Sequence, residues 1–294
     1  MRRSLSYFWR IHLAVVLGSA VATSILTGAL LVGDSVRGSL RDLSLDRLGR
    51  IEFALQSERF FREDLAGDLS SAVGFAESFE SAIPAILLSG SVRNANTQAR
   101  ASRVRVQGVD ERFISLFDKG PRSSDRGVFL SKPKGQMFSS VAVNEALKRE
   151  LGVEIGDAVV LSLERPTKIN REFLFGMDDP EDITQALRLV VTEVIPNRGL
   201  GRFGLDPHQS LHFNAFVSLP VLQRALGLSG QVNSILVAAG REGADTGVLQ
   251  GFLKKSLIPE DLGLGFCEKE TYVSVESTSF LLKPGIARRV SEWA

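Results

Sequence analysis

Hydrophobic and polar positions follow two different regimes along this chain. Between Ile11 and Gly33 lie 23 consecutive residues without a charged side chain. At about 1.5 Å per residue, a helix of that length covers the roughly 30 Å hydrocarbon core of a bilayer. No other stretch reaches the length of about 18 apolar residues that a crossing needs; residues 82–88 and 187–191 fall far short. After Asp34, Val36, Leu40 and Leu43 recur at helical spacing, which predicts a stalk running on to about Leu48, weakened by Gly33 and Gly38.

Beyond the stalk, short apolar runs alternate with amphipathic ones. Strands are predicted over residues 51–55, 85–92, 102–107, 158–163, 187–195, 215–219, 234–239 and 273–276. Helices are predicted over 59–73, 111–117, 141–151 (closed by Gly152), 221–226 and 246–257, with a terminal amphipathic stretch from Leu282. The order is mixed α+β rather than a regular βαβα alternation. Residues 121–134 and 165–185 read as surface loops. No period of about 20 to 50 residues recurs, so a repeat architecture is not indicated.

A cleaved signal peptide is the nearest competitor to a membrane helix, because Arg2 and Arg3 form a basic start and Ala20-Val21-Ala22 is an A-x-A site. Cleavage there would leave an exposed apolar start from Thr23 to Gly33, so an uncleaved membrane helix is preferred. Arg2, Arg3 and Arg10 precede the segment, and Arg37, Arg41, Arg47 and Arg50 follow it. Long following domains translocate largely regardless of charge, which keeps the short basic tail, residues 1–10, in the cytoplasm and puts residues 34–294 outside.

Within the span, small residues fall four apart on two neighbouring lines, Ala14, Gly18 and Ala22 on one and Ala20, Ser24 and Gly28 on the other. Such spacing lets a second helix approach closely, although Gly and Ala are also simply common in membrane helices. Partner helices, if present, would come from other chains or from a missing part of this one.

Composition removes several function classes. Thirty-five Lys plus Arg against 34 Asp plus Glu leaves a formal charge of +1, too little for the positive field that drives nucleic-acid binding. The single cysteine, Cys267, permits neither an intrachain disulfide nor a multi-thiolate zinc site. With 44% hydrophobic and 23% charged residues the composition is that of an ordinary folded protein.

The motifs that could carry chemistry are weak. Gly199-Leu200-Gly201-Arg202-Phe203-Gly204 matches G-x-G-x-x-G after a predicted strand, but no helix follows it and no acid stands near position 220 to hold a ribose. A flexible glycine loop is preferred, with Arg202 and Phe203 as candidate partner contacts. His208 and His212 are four apart beside Asp206, yet Pro207 and the run after His212 read as loop and strand and no third soft ligand is near, so no metal site is assigned. G-x-S-x-G and the P-loop pattern are both absent from the sequence. Catalytic, cofactor and metal residues are accordingly assigned as none.

Several segments taken together resemble the MacB/FtsX-type permease subunits of ABC transporters. The likeness starts at Ser4-Leu5-Ser6-Tyr7-Phe8-Trp9-Arg10 and runs through Leu30-Leu31-Val32-Gly33-Asp34-Ser35-Val36-Arg37. It continues at residues 106–113 (VQGVDERF) and 151–159 (LGVEIGDAV), and returns at 216–223 (FVSLPVLQ) and 231–235 (QVNSI). Each piece is short, and their order carries the likeness. The resemblance implies a MacB-like periplasmic core domain after the first membrane helix. It also implies a cytoplasmic ABC ATPase subunit as partner, with further permease helices or a second copy beside this one in the lipid bilayer. Such permeases carry four membrane helices and this chain one, so it looks like the amino-terminal part of a permease.

The expected function is therefore a non-catalytic permease component in the cell (inner) membrane that couples an ATPase to an extracytoplasmic domain for export or mechanotransmission. The alternative is a single-pass, membrane-anchored extracytoplasmic binding or scaffold protein.

Overall fold

A computed structural model describes residues 7–117, 139–164, 184–206, 211–240, 245–269 and 272–277. The chain divides into two units, residues 1–46 and residues 47–294. The first consists of most of one helix, α1 (Trp9–Leu48), 40 residues without a break. Gly33 and Gly38 lie inside it, so the stalk predicted from the Val36/Leu40/Leu43 spacing is present as helix. None of its residues is buried.

The second unit is built around strands β1 (Ile51–Arg62), β2 (Phe79–Asn94), β3 (Arg100–Val109), β4 (Ser139–Asn144), β5 (Ala158–Glu164), β6 (Thr184–Ile195), β7 (Asn214–Ser218) and β8 (Gln231–Ala239). Their order in the sheet is β1-β8-β2-β3-β7-β4-β6-β5, and β5 pairs back onto β2. Six strands, β2, β3, β7, β4, β6 and β5, thus close into a ring, while β8 and β1 extend from the first half of β2. Parallel pairs β3/β7 and β4/β6 alternate with antiparallel ones, a mixed α+β arrangement. A separate hairpin joins β9 (Leu264–Lys269) to β10 (Tyr272–Ser277).

β2 serves both parts because of its length. Phe79 to Ala85 pairs with β8, and Gly90 to Asn94 pairs with β5. Closure depends on Gly90: a Cβ there would lie 2.7 Å from the Ser162 carbonyl oxygen and 2.8 Å from Leu163 Cδ2. Only a residue without a side chain lets the two backbones meet.

β4, β7 and β8 are buried on both faces, which splits the core in two. Val92, Val104, Val106, Val141, Val143, Leu161, Leu189 and Val217 fill the ring, joined by residues of α2 (Asp64–Ser71), α5 (Glu145–Leu151) and α6 (Leu219–Leu226). Between α2 and β2 lies the single turn α3 (Phe75–Ser78). Its Phe75 stacks near Phe79 at 5.0 Å between ring centroids, and Phe252 of α7 (Thr246–Ser256) closes on both. The opposite face carries a second cluster in which Phe113 of α4 (Glu111–Ile114) meets Phe203 edge-on at 5.0 Å, with Phe117 and Phe216 alongside. Much of the chain's phenylalanine is thereby core.

Some boundaries differ from those the sequence predicts. The helix predicted over 59–73 is only α2, because residues 59–62 complete β1. The helix predicted over 141–151 is strand β4 followed by α5, with the Asn144 side chain accepting from Leu147 N at the junction. β9 went unpredicted. Residues 121–134, nearly all of 165–185, and the stretch from Leu282 lie outside the described residues.

Candidate functional site

The most distinctive surface belongs to α1. One helix among the described residues is long and apolar enough to cross a membrane, and it is this one. At about 1.5 Å per residue its 40 residues extend about 60 Å, twice the hydrocarbon thickness. Its apolar side chains are exposed among the described residues: Val15 is 64% exposed and Leu30 73%. The six small residues Ala14, Gly18, Ala20, Ala22, Ser24 and Gly28 all lie on it, in its exposed part. A Cβ added at Gly18 or Gly28 would meet nothing within 4 Å, so packing among the described residues does not require glycine at either place.

The second unit begins at Arg47, within the last turn of α1. Arg47 donates to the Asp206 carbonyl oxygen at 3.0 Å. Gly49 then turns the chain with φ +58, where a Cβ would lie 2.5 Å from the Leu116 carbonyl oxygen. Arg50 N donates to that same oxygen at 3.0 Å, and the Arg50 guanidinium reaches both Glu80 (2.7 Å) and the Ser115 carbonyl oxygen (2.5 Å). The helix therefore ends in a tight, glycine-dependent joint two residues before β1.

The glycine segment after β6 has a different role from the one its pattern suggests. Gly199–Arg202 is a short 3-10 turn rather than a flexible loop. Phe203 is 1% exposed at the centre of the second core cluster, which corrects its assignment as a partner contact. Arg202 is half-buried. Beside them Arg105 pairs with Asp206 at 2.9 Å. Burial lowers the Arg105 pKa, Arg47 adds to the effect, and Asp206 works against it. A second arginine behaves oppositely. Arg62 is also penalised by burial, but its bonds to Asp261 and Asp68 outweigh this and raise its pKa.

His208 lies outside the described residues, and His212 sits in the segment before β7, its carbonyl oxygen accepting from Asn144 Nδ2 at 2.7 Å. Among the described residues no group of three or more His, Cys, Asp or Glu is placed to hold a metal ion.

Neither a protein-family model nor a curated protein matches the chain by sequence. Solved structures do match. The periplasmic region of MacB from Actinobacillus actinomycetemcomitans is 13% identical, with 81% of this chain and 85% of that chain covered and a TM-score of 0.40. A domain assigned to a permease of Porphyromonas gingivalis is 13% identical over 83% of this chain and 97% of that one, again at 0.40. The extracellular domain of the ABC-type transporter YknZ from Gram-positive bacteria is 12% identical over 74% and 90%, at 0.36.

Four of the segments quoted above for the permease resemblance lie within the β-rich unit. Residues 106–113 carry the end of β3 into α4, and 151–159 carry the end of α5 into β5. Residues 216–223 carry β7 into α6, and 231–235 open β8. All four are strand ends or the junctions beside them. Sequence reasoning missed Asn144, Asn214 and Gln107, a buried polar row on three strands, for which the only available signal was amide side chains inside apolar runs.

Proposed function

We propose that this chain is a non-catalytic membrane component of an ABC-type transport system, a permease-type subunit that couples a cytoplasmic ATPase to an extracytoplasmic domain. Residues 11–33 of α1 sit in the bilayer with residues 1–10 in the cytoplasm and the β-rich unit outside, in the cell membrane. The observation that carries the reading is the continuity of α1: the uncharged span and the polar stalk are one helix, ending in the Gly49 joint directly before β1.

A continuous helix transmits a displacement because bending it breaks backbone hydrogen bonds along its length, whereas a coil would absorb the movement. Force applied by an ATPase at the cytoplasmic end would reach the joint and, through Arg47 and Arg50, the segments at 206 and 115–116. Work of this kind needs no nucleophile, cofactor or metal in the chain. The small-residue lines at Ala14/Gly18/Ala22 and Ala20/Ser24/Gly28 supply faces for other permease helices or a second copy. The ordered permease-like segments of the sequence support the same assignment, and the near-zero net charge fits no nucleic-acid partner.

The test is affinity purification of the full-length chain from native membranes in mild detergent, with mass spectrometry of its companions. Recovery of an ABC ATPase and further membrane subunits is expected. Repeated recovery of the chain alone, under conditions that preserve other transporter complexes, would overturn the reading in favour of a single-pass binding or scaffold protein.

A further inference from the structure

Three exposed arginines, Arg93, Arg100 and Arg103, gather around Ser91 on the outer face of the β2–β3 hairpin. Arg93 and Arg100 are register partners, so their side chains leave the sheet side by side, about 5 Å apart at Cβ. Like charges placed directly opposite on paired strands oppose folding. Arg93 guards no sheet edge, because β2 is paired there on both sides, with Arg100 of β3 and Val160 of β5.

A bulge brings in the third arginine. Gly90 faces Val104 and Val92 faces Ala101, so Ser102 and Arg103 together stand against Ser91, with Ser162 of β5 on its other side. Ala101 and Val104 are buried in the ring while Ser102 and Arg103 are both exposed. Among the described residues two non-glycines have positive φ, Gln98 (+63) and Arg103 (+56), and both belong to this hairpin. Such backbone is costly for a residue with a side chain and concentrates at ligand sites.

The guanidinium groups are held by neutral atoms. Arg100 Nη2 donates to Ser91 Oγ at 3.3 Å, and Arg93 Nη1 donates to Gln98 Oε1. Because Ser91 Oγ accepts, its own O–H is left to donate outward. The turn beneath is braced by Asn94, whose Oδ1 accepts from Asn96 N and Thr97 N and whose Nδ2 donates to the Leu151 carbonyl oxygen. Among the described residues no carboxylate pairs with Arg93, Arg100 or Arg103. The acids of the adjoining loop are engaged elsewhere: Glu154 pairs with Lys148 at 2.7 Å, and Asp157 Oδ2 accepts from Glu154 N at 2.8 Å.

Repulsion, backbone strain and missing counter-charge at one place are all relieved by one anion. Guanidinium forks beside a hydroxyl suit an anion with several oxygens. A peptide carboxylate supplies two oxygens and one charge, whereas a phosphate monoester supplies three oxygens and about 1.5 to 2 charges.

We infer that this face binds a phosphate monoester, its oxygens taking bonds from the Arg100 and Arg103 guanidinium groups and the Ser91 hydroxyl, with Arg93 completing the charge. The inference is independent of the transport reading: it concerns a ligand site in the β-rich unit whether or not an ATPase drives the chain.

The test uses the full-length chain in phosphatidylcholine nanodiscs, and its arms separate a soluble ester from a lipid headgroup. Glycerol 3-phosphate is titrated by phosphorus NMR, and capture by phosphatidic acid vesicles is compared with capture by phosphatidylglycerol vesicles of equal charge. With about ten non-hydrogen atoms at ordinary ligand efficiency, glycerol 3-phosphate should bind with a dissociation constant on the order of 1 mM. Glycerophosphocholine, a diester, should bind at least about tenfold more weakly. A saturable shift without vesicle capture assigns the site to soluble esters; preferential capture by phosphatidic acid assigns it to a lipid headgroup. Arg100→Gln should weaken either signal about tenfold. Arg103→Gly should weaken it too while raising the melting temperature, since glycine adopts φ +56 without penalty, and it carries the test should Arg100→Gln fail to fold. No saturable shift together with no preferential capture would overturn the inference. So would phosphate binding that both variants leave unchanged, or tighter binding of a hexaglutamate peptide than of glycerol 3-phosphate, which would make the face a surface for acidic protein segments.

Discussion

The side-chain amide of Asn233 stands in for a strand against Leu87, its Oδ1 accepting from the Leu87 N–H and its Nδ2 donating to the Leu87 carbonyl oxygen, both at 2.8 Å. Leu87 lies where the edge of β2 passes from β8, which pairs up to Ala85, to β5, which begins pairing at Gly90. Without Asn233 the gap would leave two backbone groups unmet. Replacing Asn233 by Ala removes both bonds, and a loss of about 2 to 3 kcal/mol is expected from two partly buried orphans. Denaturant unfolding of the full-length chain checks this. Asn233→Asp, which can accept but not donate, should recover less than half of the loss.

Gly90 sets the other condition for closing the ring. Its replacement by Ala would push a Cβ to 2.7 Å from the Ser162 carbonyl oxygen, and backbone cannot retreat as a flexible side chain would. Gly90→Ala should cost about 1 to 3 kcal/mol and speed hydrogen exchange in residues 158–164. The same change at Gly18, which has open space around it, should leave thermal unfolding of the β-rich unit untouched.

The two half-buried arginines, Arg62 and Arg105, should respond in opposite ways to loss of charge. Arg62 bonds Asp261, whose side chain is 1% exposed, and Arg62→Gln would leave that carboxylate buried and unpaired, at a cost of about 3 kcal/mol. The folded state raises the Arg62 pKa above its ordinary value, so its contribution is fully present below that value and is lost only as pH rises through the higher folded value. The penalty of Arg62→Gln should therefore be the same at about pH 6 and about pH 9. For Arg105 the folded pKa is lowered chiefly by burial, so its charge opposes folding at every pH below that lowered value. Arg105→Gln should be neutral or stabilising, and unfolding curves of the two variants side by side decide the matter.

How far the sequence could be read depended on whether a segment had a period. The charge-free run from Ile11 to Gly33 and the spacing after it predicted α1 to within a few residues. The alternating Ser102-Arg103-Val104-Arg105-Val106-Gln107 marked β3 for the same reason. β4 was misread as helix because Val141 and Val143 enter one core and Ala142 the other. A strand buried on both faces has no alternation to show. The second half of β1 was hidden by the register shift between Gln56 and Phe61, which breaks the period of two. Phe203 was misplaced because its burial depends on Phe113 and Phe117, some ninety residues earlier in the chain. The amide row of Asn144, Asn214 and Gln107 was out of reach for a related reason, since nothing local tells a buried amide from a solvated one.

The small residues of α1 carry a further expectation. Gly18, Ala22 and Gly28 replaced together by Leu should leave membrane insertion intact, since Leu favours the bilayer, while blocking close approach by a neighbouring helix. Co-purification of membrane partners should fall several-fold, measured against the folded β-rich unit as an internal standard.

The most direct test of the account exchanges the anchor. Residues 11–33 are replaced by an unrelated single-pass membrane helix of equal length, leaving the stalk, the Gly49 joint and the β-rich unit unchanged, and the ABC ATPase recovered with the chain is quantified. If the helix is a specific coupling element, the exchanged chain still inserts and folds but the ATPase no longer accompanies it. Recovery at the level of the native chain would contradict the account, because any anchor would then serve and the protein would be a tethered extracytoplasmic module.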